Sequence, residues 1–218
     1  MNPDFWHDRW REGQIGFHQP DYHPALLRHW PRLGVPPHGR VFVPLCGRSL
    51  DMIWLARQGH GVVGVELSPI AIDGFFHHEG LTPSVTEIGR LRRHAAGHYE
   101  LLEGDFFETS PAMLGHIEGW YDRAALVALP RAMRRDYVRR LDLLVPGDVP
   151  GLLITLDYPQ QQMDGPPFSV TGEEVLALLD EAFEVTELES RDVLGENPRF
   201  AERGLDRLTE TVFRLVRR

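Results

Sequence analysis

Several side chains able to do chemistry stand directly behind short apolar runs. Glu66 follows Val62-Val63-Gly64-Val65, Asp105 with Phe106 follows the run at 98–102, and Asp122 with Arg123 closes the run at 117–121. The turn Pro44-Leu45-Cys46-Gly47-Arg48-Ser49 follows Val41-Phe42-Val43. Runs of that length read as strands, and in a doubly wound sheet the ligand lies outside the carboxyl ends of the strands. The turn has one glycine where a dinucleotide fingerprint needs three, and it lacks the Gly-Lys-Ser/Thr ending of a phosphate loop, so a phosphate ligand is disfavoured. Glu66 lies 19 positions after Gly47, where a carboxylate can accept both hydrogen bonds of a ribose diol. An adenosine-type ligand without a pyrophosphate fits this pattern, and S-adenosyl-L-methionine is the common one. Asp105 and Phe106 suit adenine, the acid accepting from an exocyclic amine and the ring packing on its face. Each also has a plainer reading, Asp105 as a helix cap and Phe106 as core.

Two other chemistries find no support. Cys46 has no motif supplying a paired base and reads as a small buried residue of a tight turn. Among the eleven histidines, the pairs His77-His78 and His94 with His98 have no H-E-x-x-H context, so no metal site is expected.

These positions converge only if strands alternate with helices, and the pattern predicts that they do. Asp4 can cap a helix over 5–11, and Pro24 opens another before Ala25-Leu26-Leu27-Arg28-His29-Trp30. Residues 34–39 form a stiff linker. Thereafter the spacing predicts a strand at 41–43, a helix capped by Ser49, a strand at 62–65, a helix opened by Pro69, and strands at 98–102 and 117–121. A helix over 131–144, a strand at 151–156 and a helix over 173–179 follow. Strands at 183–189 and 209–215 have no long helical pattern between them and read as an antiparallel edge pair. The expected fold is α/β, a doubly wound and mostly parallel seven-stranded sheet, Rossmann-like, behind an N-terminal helical segment. It is read as one domain over 1–218, with the helical segment at 1–33 and the α/β core at 40–218. Arg90, Arg92, Arg93 and His94, running into Ala95-Ala96-Gly97, read as a solvated hairpin tip.

Composition narrows the partners. The chain has 218 residues, 42% hydrophobic and 25% charged, and no apolar run near the roughly 18 residues of a membrane span. Its 23 basic residues, all arginine, stand against 32 acidic ones, a net charge of −9 that opposes nucleic-acid binding. The start shows no secretory signal and Cys46 is the single cysteine, so a cytoplasmic protein with a small-molecule partner, monomeric or weakly associating, is expected.

The blocks Phe5-Trp6-His7-Asp8-Arg9-Trp10, Gly16-Phe17-His18, Val43-Pro44-Leu45-Cys46-Gly47, Gly59-His60, Val63-Gly64-Val65-Glu66, 122–129 and Gly165-Pro166-Pro167-Phe168 together resemble the bacterial thiopurine S-methyltransferases. The resemblance runs from about residue 5 to the C-terminus. It implies a class I methyltransferase fold that uses S-adenosyl-L-methionine to methylate the sulfur of aromatic and heterocyclic thiols, with selenium and tellurium compounds also associated with bacterial members. It implies cofactor contacts at Trp10, Leu45, Glu66 and Arg123, with Gly47 in the same turn and Asp105-Phe106 at the adenine position. The segment from Trp6 to Phe17 would fold over the cofactor as a lid, Phe17 would face the substrate, and His18 could line the pocket. Arg199 falls where the family has an arginine near the substrate.

Methyl transfer from a sulfonium is an in-line displacement, which needs alignment and exclusion of water and no covalent intermediate. Trp6, Trp10 and Phe17 suit a water-excluding cover, although Trp6 and Trp10, four apart, would equally dock their helix on the sheet. A guanidinium favours a thiolate, and Arg123 and Arg199 are the candidates. Alternatively Arg123 pairs with Asp122 and Arg199 is exposed on a loop. Asp122 is the only nominee for a general base. The rival readings are O- or N-methyl transfer on the same fold and a non-catalytic S-adenosylmethionine binder.

Overall fold

The computed structural model describes residues 3–14, 16 and 19–218. The chain opens with helices α1 (Pro3–Arg11) and α2 (Pro24–His29). It continues through β1 (Arg40–Val43), α3 (Leu50–Arg57), β2 (Gly61–Glu66), α4 (Pro69–His78), β3 (Ser84–Ile88), β4 (Leu91–Ala96) and β5 (Tyr99–Glu103). After these come α5 (Pro111–Leu114), β6 (Gly119–Asp122), α6 (Arg131–Leu144), β7 (Pro150–Asp157), α7 (Gly172–Leu179), β8 (Phe183–Asp192), α8 (Pro198–Glu202) and β9 (Thr209–Arg217). Local sequence explains the helix starts: Ser49 accepts from the Asp51 N–H, Thr171 from the Glu174 N–H, and prolines begin α2 and α4.

The strands form one sheet in the order β3-β4-β5-β2-β1-β6-β7-β9-β8. Five central strands, β5 to β7 in that order, run parallel, while β3 and β4 at one edge and β8 and β9 at the other pair antiparallel. Strand order reverses at β1, which has β2 on one side and β6 on the other, so the crevice for a ligand opens at the carboxyl ends of these three. Alternation along the strands splits the core. Phe42, Val63, Val65, Leu102 and Trp120 pack towards α6 and α7, whereas Val41, Val43, Val62 and Leu101 pack towards α2, α3 and α4. Among the described residues, no helix is long and apolar enough to cross a membrane.

Among the described residues the sheet has nine strands, where the sequence predicts seven. The extra pair is β3 and β4, and β4 contains Arg92, Arg93 and His94, which were expected in a hairpin tip. The turns lie instead at Gly89 and Gly97, both with positive φ. The charges hide the strand because β5 neutralises them: Arg92 and His94 bond Glu103, and Arg93 lies 3.4 Å from Glu100. Leu91 and His94, on opposite faces of the strand, are its buried side chains.

Candidate active site

A cavity of about 640 Å³ opens at the carboxyl ends of the parallel strands, within the range of roughly 300–1,000 Å³ that small-molecule pockets occupy. Its first wall is the turn after β1. Leu45 and Gly47 have φ of 44° and 54°, left-handed conformations that curl the backbone, and the Cys46 N–H donates to the Val65 carbonyl at 2.9 Å. The Gly47 N–H donates to Glu66 Oε2 at 2.9 Å, and the Ser68 N–H donates to Oε1 at 2.7 Å. One carboxylate thus ties the turn to the end of β2. Burial pushes the Glu66 pKa up, opposed by these backbone donors.

Trp10 of α1 is buried over Gly47, where a Cβ would come within 3.3 Å of the indole. Trp6 also borders the cavity, one helical turn away, with its ring edge-on to Phe5 at 5.2 Å. Helix docking and covering of the cavity, posed above as alternatives, are therefore both served by this face. Arg48 lies with its guanidinium carbon 5.7 Å from the Trp10 ring, and its buried Nε has no hydrogen bond among the described residues. Arg48 also borders the cavity, and its place directly after the turn glycine is a signal legible in the sequence.

Asp105 is exposed, borders the cavity and accepts the Phe107 N–H at 2.9 Å, which makes it the cap of the short helical turn at 106–108. Phe106 is core, stacked near-parallel on Phe42 at 6.5 Å and tilted against Tyr137 at 4.9 Å, while still touching the cavity. Both plainer readings describe what these side chains do in the fold.

Asp122 does not pair with Arg123, contrary to the alternative above. It accepts the Ala125 and Leu126 N–H groups at 2.9 and 3.2 Å and the Tyr137 hydroxyl at 2.7 Å. Burial raises its pKa to about 6 in spite of these donors, and it lies outside the cavity lining, so it is not placed to act as the general base. Arg123 turns the other way, with Nε 3.1 Å from Asp51 Oδ2. Asp51 is itself buried and takes the His23 N–H at 2.8 Å and the Tyr121 hydroxyl at 2.9 Å. Cys46 is buried, and desolvation together with the Glu66 charge pushes its thiol well above the ordinary value, the opposite of an activated nucleophile.

Arg199, near the start of α8, reaches the same cavity from the C-terminal side. It is half-buried over the Phe200 ring at 4.9 Å and has no ion pair among the described residues. Burial and the neighbouring guanidiniums of Arg123 and Arg203 push its pKa below the ordinary arginine value. An arginine short of counter-charge is suited to an anionic ligand group. Phe17 and His18 lie outside the described residues. The cavity also takes in His23, Arg191 and Glu210, none of which was nominated from sequence. They sit before α2, in β8 and at the start of β9, and no local motif marks them.

Comparison with known proteins gives a consistent result. The sequence model of the family described as thiopurine S-methyltransferase (TPMT) matches residues 1–218. A thiopurine S-methyltransferase of Shewanella amazonensis is 50% identical over 218 residues, covering 100% of both chains. One of Pseudomonas fluorescens is 49% identical over 215 residues, covering 99% of each. Among solved structures, an S-adenosylmethionine-dependent methyltransferase from Anabaena variabilis superposes with a TM-score of 0.69 at 14% identity, covering 100% of this chain and 96% of that one. Another from Thiobacillus denitrificans, in complex with S-adenosyl-L-homocysteine, gives 0.65 at 14% identity, with 97% and 98% covered. These two likenesses establish the fold.

Proposed function

Because this chain belongs to the thiopurine S-methyltransferase family, we propose that its cavity seats S-adenosylmethionine at the β1–β2 end and an aromatic or heterocyclic thiol at the β7–β9 end. The chain is an S-adenosylmethionine-dependent methyltransferase acting on small molecules. The observation that carries the assignment of ends is the contrast between them. A buried carboxylate, Glu66, closes the turn at one end, and Arg199, with no ion pair among the described residues, stands at the other.

The residues fit the cofactor. Each Glu66 oxygen accepts one backbone N–H and keeps capacity for a ribose hydroxyl. Gly47 leaves the space that a Cβ would fill against Trp10. Leu45, Asp105, Phe106 and Phe107 border the same end and would flank the adenine. S-adenosylmethionine supplies a methyl group on a sulfonium, open to in-line displacement by sulfur. Trp6 and Trp10 exclude water and offer ring faces to the positive charge, an effect of about 0.5–2 kcal/mol. Arg199, with Arg123 behind it, favours an ionised thiol or a thione with anionic character on its sulfur. Arg123 is held in place by Asp51, so its part is positioning and background charge. Within the expected lid segment 1–33, the cover is α1 with Trp6 and Trp10, whereas α2 belongs to the scaffold, its Ala25 and Leu26 buried in the core together with Trp30. We read the chain further as a single-domain monomer in the cytoplasm, supported by its acidic charge and its one buried cysteine.

The test is methyl transfer from labelled S-adenosylmethionine to a thiopurine, an aromatic thiol, selenite, a catechol and an amine. Transfer confined to sulfur or selenium acceptors, and lost in Glu66→Ala, is expected. Transfer to the catechol or amine alone would overturn the thiol assignment.

A further inference from the structure

The cavity contains a second buried carboxylate that the methyl transfer described above does not use. Glu210, at the start of β9 and in register with Leu156 of β7, borders the cavity and is only 7% exposed. Its Oε2 lies 3.1 Å from His23 Nε2, while the other ring nitrogen, Nδ1, accepts the Ala25 N–H at 3.3 Å. A ring nitrogen that accepts carries no proton, so the proton of the neutral imidazole is on Nε2 and His23 donates to Glu210. His23 is thereby a fixed donor and has no lone pair free to act as a base.

The other oxygen is different. Glu210 Oε1 is buried without a hydrogen bond among the described residues. The nearest cation, Arg191 Nη2, stands 3.8 Å away, too far to donate, and Arg191 is held by Glu196 at 2.6 Å and Glu189 at 3.4 Å. A buried acceptor left unmatched is costly unless a ligand brings the donor. Leu156, in register with Glu210, and Ile154, Val193, Phe200 and Leu208 of the same cavity lining are apolar and suit the faces of a flat ring.

We propose that Glu210 selects heterocyclic thiols and thiones that carry a ring N–H, its Oε1 accepting that hydrogen bond while the Arg199 guanidinium answers the sulfur. The inference rests on the reading of this cavity end as the thiol site. In such a thione the sulfur and the ring N–H share one conjugated system: a sulfur electron pair forms the new S–CH₃ bond as the donor's C–S bond breaks to leave S-adenosyl-L-homocysteine, positive charge grows on the N–H, and its proton passes to Glu210 Oε1, leaving a neutral S-methyl product. The hydrogen bond to Glu210 therefore strengthens in the transition state and assists the step as well as binding.

The probes are pyridine-2-thione, which has the N–H, and 1-methylpyridine-2-thione, which does not. Their affinities for the full chain in the presence of S-adenosyl-L-homocysteine can be measured by titration calorimetry. The unmodified protein should prefer the N–H ligand by about tenfold or more. In Glu210→Gln the amide oxygen must face the His23 N–H, which puts the NH₂ where Oε1 was and sets donor against donor. The preference should then vanish or reverse, and kcat/KM for pyridine-2-thione should fall. Glu210→Asp keeps an acceptor and should retain part of the preference. An absent preference in the unmodified protein, or one that survives in Glu210→Gln, would overturn the proposal; general damage to the fold weakens both ligands together and leaves their ratio unchanged. If the preference is seen without methyl transfer, the role of Glu210 stands and the thiol-methylation reading fails.

Discussion

Glu66 and Arg199 divide the cavity by charge, and each can be tested by what it leaves unaffected. Replacing Arg199 by Ala removes a half-buried cation that has no ion pair among the described residues, so if it answers the substrate sulfur as proposed, the loss should fall on the thiol end. The expected result is a drop in kcat/KM for thiol substrates of about tenfold or more, with the S-adenosylmethionine dissociation constant within about twofold of the unmodified value. Equal losses in both would remove Arg199 from the thiol end. Asp122 allows a pH test. Its pKa is raised to about 6 by burial, above the 3.8 of an ordinary aspartate, so the folded state holds a proton that the unfolded chain releases. The stabilisation from this group is complete below about pH 4 and is lost as pH rises through 6. At about 1.4 kcal/mol per pKa unit, the loss is on the order of 2–3 kcal/mol. Urea unfolding of Asp122→Asn, which cannot titrate, should show the variant gaining on the unmodified protein by about that amount between pH 4 and 7; a difference constant across that range would refute the assignment. At this scale the nearness of Glu66 to the turn at Gly47 was legible, because both stand at the carboxyl ends of adjacent strands. The partner of Arg123 was not. Asp51 lies 72 positions away, and only the meeting of α3 with the end of β6 makes the pair.

At the scale of elements, the site depends on how closely β2 approaches the turn after β1. Gly64 sits in the middle of β2, opposite Val43 on one side and Leu101 on the other. A Cβ there would lie 2.6 Å from Cys46 Sγ and 2.9 Å from Leu101 Cδ2. Gly64→Ala should therefore cost roughly 1–3 kcal/mol, and for a chain of this length lower Tm by about 2–4 °C per kcal/mol. Because the displaced thiol belongs to the turn, S-adenosylmethionine binding should weaken too, although residue 64 does not border the cavity. Adding Cys46→Ala should restore part of both; no recovery in the double variant would mean that Leu101 alone carries the strain. The helices and central strands were readable because their apolar periodicity is strong: in α6, Tyr137, Val138, Leu141 and Leu144 form one buried stripe. The edge pair β3 and β4 was not, because β3 is almost wholly exposed and the buried positions of β4, Leu91 and His94, fall on opposite faces among arginines, so no alternation shows.

Across the whole molecule, ligand binding and folding are linked. If the cavity holds S-adenosylmethionine as proposed, a free concentration of about 100 times Kd adds roughly 2.7 kcal/mol to stability, which at this length raises Tm by about 5–10 °C. Differential scanning fluorimetry should show that shift in the unmodified protein and none in Glu66→Ala; an equal shift in both would place the cofactor elsewhere. The sequence by itself determined the alternation of strands and helices, the turn at Gly47 with Glu66 behind it, and the resemblance to a methyltransferase family. Those features are local, written in periodicity, capping residues and turn glycines that act within a few positions of each other. Only the tertiary structure decided that the sheet has nine strands, that Asp122 is buried scaffold, that Arg123 answers Asp51, and that His23 and Glu210, 187 positions apart, meet at one cavity wall. Such pairings arise where distant strand ends are brought together by sheet order, and no short-range pattern in a chain records which ends will meet.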